Sequence, residues 1–305
     1  MTTDIFIIVV TYNGMQWIEQ CLESTAGYKV VVVDNNSTDG TVKFIKERYP
    51  KVTILEQKKN FGFGQANNLG IRYALDRSAK AVFLLNQDAY LEKNTIGVLS
   101  EISHDNPDYG ILSPIHLNGK GDQLDLNFSR YLSQSINNSF YSDHILNKAL
   151  SSIYEVPFVN AAGWFVTENC IKTVGGFDPI FFHYGEDDNY CQRLRYHGLK
   201  IGVIPRIFIR HDRENRSSEN MDNGTFSYEK IKKSLKLNFA DINKPLGNEL
   251  EMKIRRRKTA MIKSYLKLKF KTAKSYQAEY QLHKKLLPEI VTSRSINVKR
   301  GLHYL

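Results

Sequence analysis

The chain has 305 residues, 42% apolar and 24% charged, which is close to globular averages and excludes disorder as a whole-chain description. Its longest apolar run near the N-terminus, residues 5–10, is far short of the roughly 20 residues of a membrane span and lacks the flanks of a signal peptide. The net charge of +10 is concentrated: residues 251–305 carry fifteen Lys and Arg against three Glu, so the preceding 250 residues are close to neutral. Cys21, Cys170 and Cys191 are too few and too scattered for a disulfide framework or a zinc cluster, and read as reduced thiols of a cytoplasmic protein.

Strands are expected at residues 5–10, 30–33, 52–55 and 81–85, where β-branched residues cluster, with helix-length stretches at about 15–24, 41–49, 65–76 and 95–103. Continuous apolar strands alternating with helices predict an α/β fold, a mostly parallel sheet with helices on both faces. Residues 106–154, rich in Asn, Ser, Asp and Gly, read as an irregular, partly extended insertion. A strand-like run at 156–166 follows, then the turn Gly175-Gly176-Phe177-Asp178-Pro179. A short helix at 187–197 is stopped by Gly198 in the position of a C′ glycine. Residues 201–204 and 207–209 are expected as two short strands and 213–223 as a mobile polar loop. Residues 230–239 and 249–285 are expected as helices, the second long and basic.

In parallel sheets of this kind, ligands bind at the carboxyl ends of the strands. The residues there are Thr11-Tyr12-Asn13-Gly14, Asp34-Asn35-Asn36-Ser37 and Asn86-Gln87-Asp88. Asp34 opens a dense hydrogen-bonding loop that suits a ribose or base, or that simply closes a turn. Asp88 is either a turn residue or one ligand of a hard divalent cation, which would need a second protein ligand. His211 is the best candidate for that role, although a histidine at a strand end is more often a hydrogen-bonded residue. Glu186-Asp187-Asp188 can favour a helix N-terminus through the macrodipole, or crowd one carboxylate towards a general base. Gly62 and Gly64 could offer backbone amides to phosphate, but they match no Rossmann or Walker pattern, and tight packing is the plainer role.

Taken in order, these motifs resemble family 2 glycosyltransferases of the GT-A fold, in the rhamnosyltransferase-like branch. The matching stretches are Val9-Val10-Thr11-Tyr12-Asn13, Val33-Asp34-Asn35-Asn36-Ser37-Thr38-Asp39-Gly40 and Asn60-Phe61-Gly62-Phe63-Gly64-Gln65-Ala66-Asn67-Asn68-Leu69-Gly70. Leu85-Asn86-Gln87-Asp88, Gly175-Gly176-Phe177-Asp178 and Phe181-Phe182-His183-Tyr184-Gly185-Glu186-Asp187-Asp188 continue them. The resemblance spans about residues 4–215. It implies a catalytic domain over residues 1–215, with a nucleotide-binding half (1–100) and an acceptor half (101–215). Residues 216–248 would be a linker and 249–305 a basic helical extension.

The resemblance gives Thr11, Tyr12, Asn13, Asp34, Asn67, Asn86, Gln87 and Asp88 to a nucleotide-diphosphate sugar. Asp88 takes the place of the last acid of an Asp-x-Asp motif, and Asn86 replaces the first. Mg²⁺ or Mn²⁺ is expected on Asp88 and His211, and Asp187 is expected as the catalytic base of an inverting transfer. Trp164, Glu186 and Asp188 would line the acceptor, a glycan or lipid-linked saccharide; a core tryptophan is the other reading of Trp164. A sugar-phosphate nucleotidyltransferase would need an N-terminal Gly-rich loop with a basic residue, which residues 11–14 do not offer. The rival of a different class is a non-catalytic nucleotide-sugar-binding protein or scaffold.

In the tail, Ile254, Met261, Tyr265 and Leu268 form a stripe beside Arg255-Arg256-Arg257-Lys258, as in an amphipathic helix with a cationic face. Residues 253–285 could pack on the catalytic domain or on a sister subunit in a homodimer. They could also dock on an anionic membrane, placing the protein at the inner face of the plasma membrane. Nucleic acid is the least supported partner, since no aromatic–basic interleaving accompanies the charge.

Overall fold

The computed structural model describes residues 4–214 and 223–305. The chain divides into two compact units, Met1–Ser218 with Arg300–Leu305, and Glu219–Lys299.

The first unit begins with β1 (Ile5–Thr11), α1 (Ile18–Ser24), β2 (Lys29–Asp34), α2 (Thr41–Arg48), β3 (Thr53–Glu56), α3 (Phe63–Leu75) and β4 (Ala81–Asn86). These are the alternating elements expected from the apolar runs. β5 (Ala89–Leu91), α4 (Thr95–Asp105), β6 (Tyr109–Asn118), α5 (Leu126–Tyr131), α6 (Asn138–Ile145) and β7 (Tyr154–Glu155) follow. β8 (Gly163–Thr167), α7 (Glu168–Val174), α8 (Glu186–Tyr196) and β9 (Lys200–His211) complete the unit.

All nine strands form one mixed sheet in the order β3-β2-β1-β4-β8-β6-β9-β5, with β7 also on β9. The β3-β2-β1-β4 half is parallel, and β8 runs antiparallel to both β4 and β6. Along β1, Ile5, Ile7 and Val9 share one apolar layer with α1 and α4. Phe6, Ile8 and Val10 share the other with α3, α7 and α8. Both faces are thus covered, which is why the strands read as unbroken apolar runs.

The insertion expected at 106–154 contains a principal strand. β6 has ten residues and pairs with both β8 and β9. Gly110, Ser113, Pro114 and His116 interrupt its apolar pattern, although all four are buried. β8 is shorter than the expected run at 156–166. The two short strands expected at 201–209 are one, β9, interrupted where Arg206 takes φ +64 and the register on β6 shifts between Pro114 and Ile115. There residues 205–207 are left out of the pairing between Ile204 and Phe208, which is why the sequence reads as two runs. Gly198 has φ +83 just beyond α8, as the C′ reading requires. The loop expected at 213–223 lies mostly outside the described residues.

The second unit consists of α9 (Asn223–Phe239), α10 (Glu249–Leu266) and α11 (Phe270–Asn297). The expected linker at 216–248 therefore contributes a helix, and residues 300–305 belong to the first unit rather than to the helical extension. The single helix expected at 249–285 is broken after Leu266, with Leu268 at φ +57. The Ile254–Met261–Tyr265–Leu268 stripe crosses that break. Neither glycine nor proline marks it in the sequence.

Candidate active site

The crevice forms where β1, β2 and β4 end. Parallel pairing sets Thr11 beside Asp34 and Val10 beside Asn86, so the three loops leave the sheet together. Gln87 clamps the first of them: its Oε1 accepts from the Thr11 hydroxyl (2.7 Å) and the Tyr12 N–H (2.9 Å). A Cβ on Gly14 would stand 2.3 Å from that same oxygen, so a larger residue there would displace the Gln87 side chain from the loop. Thr11 is consequently buried, while Tyr12 and Asn13 stay exposed at the rim.

Asp34 is 3% exposed and accepts from the Asn36 N–H (3.1 Å), the Ser37 N–H (3.0 Å) and the Ser37 hydroxyl (2.5 Å). Asn13 ties this loop to the first, donating its N–H to Ser37 Oγ (2.9 Å) and accepting from the Thr38 N–H (2.8 Å). Asp39 was not singled out from sequence, yet it fastens the same junction. Burial opposes its charge, but hydrogen bonds from Thr41 and the Met15 N–H outweigh that and hold its carboxyl below the ordinary value.

The sharpest geometry lies at β4 and β9. β5 pairs antiparallel with β9, placing Ala89 opposite His211, and the Asp212 N–H donates to the Asp88 carbonyl (2.8 Å). Asp88 Oδ1 then lies 3.5 Å from His211 Nε2, and both side chains are nearly inaccessible to solvent. Across the ring, His211 Nδ1 lies 3.6 Å from Asp125 Oδ2 and accepts from Arg213 Nε at 3.2 Å. Arg213 Nε is also 3.2 Å from Asp125. Next to this cluster, His116 stacks on Phe128 (4.4 Å) and meets the His211 ring edge-on (6.0 Å). Burial, then the neighbouring His211 and Arg213 charges, hold its pKa well below the ordinary histidine value.

Asp125, His116 and Arg213 were not identified as site residues from sequence. Asp125 carries only the signal of a helix cap: its carboxylate accepts from the Asn127 and Phe128 N–H groups at the start of α5. Its second oxygen is what reaches the histidine.

Asp88 Oδ1 and His211 Nε2 are an oxygen and a nitrogen donor fit for a hard divalent ion once the imidazole proton sits on Nδ1, towards Asp125 Oδ2, in place of the bond from Arg213. Among the described residues no group of three His, Cys, Asp or Glu side chains could hold a metal ion. An ion there would therefore take its remaining ligands from a bound molecule and water. Asn86, in place of a further acid, has its amide oxygen buried without a hydrogen-bond partner among the described residues, a position for a ligand donor to fill.

Glu186, Asp187 and Asp188 occupy the first turn of α8, whose N-terminal dipole favours them. Glu186 is buried, while Asp187 and Asp188 are half-buried. Gly185 enters the helix at φ +99. The preceding loop rests on the start of α3 so closely that a Cβ on Gly62 (φ +82) would stand 1.9 Å from the Phe182 carbonyl. A Cβ on Gly64 would sit 2.8 Å from Phe177 and 3.4 Å from Glu186. These glycines seat the acidic turn on α3, the packing role anticipated for them. Tyr131, at the end of α5, belongs to the same neighbourhood: burial, then the negative charge of Asp187, pushes its phenol up to about 12.

Like Thr11, Asp34, Asp88, Glu186 and His211, the expected site residues Trp164 and Asn67 are buried. Trp164 is fully buried in β8, stacked on Phe177 at 6.0 Å and tilted against Tyr190 at 5.7 Å. Its register on β4 (opposite Leu84) turns it into the layer beneath α8, where its indole Nε1 is buried without a hydrogen-bond partner among the described residues. Asn67 is buried on α3 and donates to the Phe63 carbonyl one turn back (3.0 Å).

Residues 6–161 match the family described as glycosyl transferase family 2. The low-salt glycan biosynthesis hexosyltransferase Agl10 of Haloferax volcanii is 28% identical over 214 residues, 70% of this chain and 68% of the relative. The N-acetylglucosaminyl-diphospho-decaprenol L-rhamnosyltransferase of Mycobacterium tuberculosis is 25% identical over 235 residues, 69% of this chain and 76% of the relative. Among solved structures, the mannosyltransferase PcManGT from Pyrobaculum calidifontis in complex with GDP-Man and Mn²⁺ superposes with a TM-score of 0.50 at 19% identity. That match covers 96% of this chain and 73% of the other and shares the GT-A fold. The order of the motifs, the sheet that gathers them and the extent of the match together show that the chain belongs to glycosyl transferase family 2.

Proposed function

We propose that the protein transfers a sugar, with inversion, from a nucleotide-diphosphate sugar to a hydroxyl of a glycan or lipid-linked saccharide during surface polysaccharide synthesis. The observation that carries the reading is the buried meeting of Asp88 with His211 at the mouth of a crevice bounded by the Asp34 loop. Tyr12, Asn13 and Asp34 would receive the nucleoside, with Thr11 and Gln87 holding that loop in shape.

Asp187 would take the proton of the acceptor hydroxyl while its oxygen attacks the anomeric carbon. The bond from that carbon to the diphosphate oxygen breaks with its electron pair, and a nucleoside diphosphate leaves. One displacement with one base inverts the anomeric carbon and requires no nucleophilic carboxylate of the kind retaining glycosidases use. Mg²⁺ or Mn²⁺ held by Asp88 and His211 would offset the charge that develops on the leaving group. The complex of the Pyrobaculum enzyme with GDP-Man and Mn²⁺ supports this choice of ion, and the decaprenol-linked substrate in the name of the mycobacterial relative supports a lipid-linked acceptor.

The test is a thermal-shift panel of UDP, dTDP, GDP and their sugars, each with Mn²⁺ and with EDTA, followed by turnover of whichever donor binds. A ligand at about 100 times its Kd stabilises the fold by roughly 2.7 kcal/mol. One nucleotide giving a metal-dependent shift, with sugar release from its conjugate, is the expected result. Binding without turnover towards any saccharide acceptor would favour a non-catalytic sugar-nucleotide-binding protein instead.

A further inference from the structure

The turn between α10 and α11 has the wrong composition for a loop that faces only water. It reads Leu266-Lys267-Leu268-Lys269-Phe270-Lys271, strict alternation of large apolar and cationic side chains. Leu266 is 80% exposed, Leu268 73% and Phe270 55%. Ile262 and Tyr265 add exposed apolar surface one turn earlier. Exposed turns are normally built from Gly, Asn, Asp, Ser and Pro, and a bulky residue at positive φ, such as Leu268 at +57, is uncommon.

The turn is nevertheless well fixed. Lys269 N–H donates to the Ser264 carbonyl (2.9 Å), Leu268 N–H to the Tyr265 carbonyl (3.0 Å), and the Tyr265 hydroxyl to Gln277 Oε1 (2.9 Å). Ser264 and Ala273, behind it, are buried. The apolar side chains are therefore held outwards by a braced helical hairpin. Lys263, Lys267, Lys269, Lys271 and Lys274 surround them, and none makes an ion pair among the described residues.

We infer that this hairpin tip docks on an anionic lipid bilayer, with Leu266, Leu268 and Phe270 entering the headgroup–acyl boundary and the five lysines lying against acidic headgroups. Charge selects this occupant. A second copy of the chain would bring the same five lysines against themselves in a two-fold contact, whereas an anionic surface attracts all of them. The apolar residues supply the insertion that charge alone lacks. The tip is a local element, in place of the continuous amphipathic helix that the sequence suggested for membrane docking. Among the described residues no helix is long and apolar enough to cross a membrane, so the contact is interfacial.

The whole protein would be sedimented with vesicles of phosphatidylcholine alone and of phosphatidylcholine with 30% phosphatidylglycerol. Binding only to the anionic vesicles, weakened by salt, is expected. Replacing Lys267, Lys269 and Lys271 by Gln should weaken partitioning by about a hundredfold. Leu266→Ser with Leu268→Ser and Phe270→Ser should abolish it, with the thermal transition retained because these side chains are exposed. A Leu268→Trp reporter should shift its emission to the blue on anionic vesicles. A wild-type protein left in the supernatant, or a triple Ser variant that sediments like wild type, would overturn the proposal. So would a wild-type dimer, measured by light scattering, that the triple Ser variant turns into a monomer, since a second copy would then own the tip.

Discussion

Asp88 and His211 are separated by more than 120 residues, yet their buried side chains stand 3.5 Å apart. The cause is the pairing of β5 with β9, which sets Ala89 against His211, so the histidine is fixed by backbone register rather than by a local motif. If the pair holds the divalent ion, Asp88→Ala and His211→Ala should each weaken Mn²⁺ binding by at least about tenfold. Free Mn²⁺ titrated by electron paramagnetic resonance reads this without any turnover. Asp125→Asn should cost about 10- to 100-fold, the range for a residue that orients a ligand from behind. Undiminished binding in the His211 variant would place the ion elsewhere.

Asp187 sits half-buried in the first turn of α8, beside a crowd of acids that the helix dipole tolerates. Asp187→Asn keeps the shape of the side chain and removes its ability to accept a full proton. Transfer should fall by about 10²–10⁴, the usual contribution of a general base, while the donor-induced thermal shift persists. Equal loss of binding and turnover would instead make Asp187 part of the donor pocket. The same kinetics should show Tyr131→Phe acting through the acceptor KM if its phenol, held protonated beside Asp187, donates to the acceptor.

Trp164 offers a clean choice between core and pocket. It is fully buried against Phe177 and Tyr190, so Trp164→Ala should destabilise the fold by about 3–5 kcal/mol, seen in a urea or thermal melt. Trp164→Phe, which keeps most of the packing, should leave the acceptor KM unchanged. A raised KM with an unaltered melt in the Phe variant would put Trp164 at the acceptor site.

The contrast between β1 and β6 shows what the chain made legible. Strands such as β1 and β4, buried on both faces, advertise themselves as unbroken apolar runs, and the polar loops at their ends could be located from those runs. The strand β6 could not be read this way. Gly110, Ser113, Pro114 and His116 are buried there by tertiary pairing, and local composition gives no sign of it. Asp125 was missed for a related reason, because a helix cap gives no local sign that its second oxygen will lie 3.6 Å from a histidine brought up by β9. The break before Phe270 is likewise invisible, since Lys267-Leu268-Lys269 contains no residue that demands a positive φ. Periodicity reports which side of an element is buried; it does not report which distant element does the burying.

His116 makes the long-range pairing measurable through pH. Its ring is inaccessible to solvent, and burial, with the nearby His211 and Arg213, keeps its pKa well below 6.5 in the folded state. Above pH 6.5 both folded and unfolded forms are neutral, and the group contributes nothing to pH dependence. As pH falls below 6.5, the unfolded chain takes up a proton that the native ring refuses, so the unfolded state binds more protons and stability declines. The slope from this one group is at most about 1.4 kcal/mol per pH unit. In wild type, the melting temperature should therefore fall between pH 6.5 and pH 5. His116→Gln, which keeps a polar group near Ser113, should fall less steeply over the same interval. Parallel slopes for the two proteins would show that the imidazole is charged inside the fold, and that the buried stack on Phe128 does not exclude water.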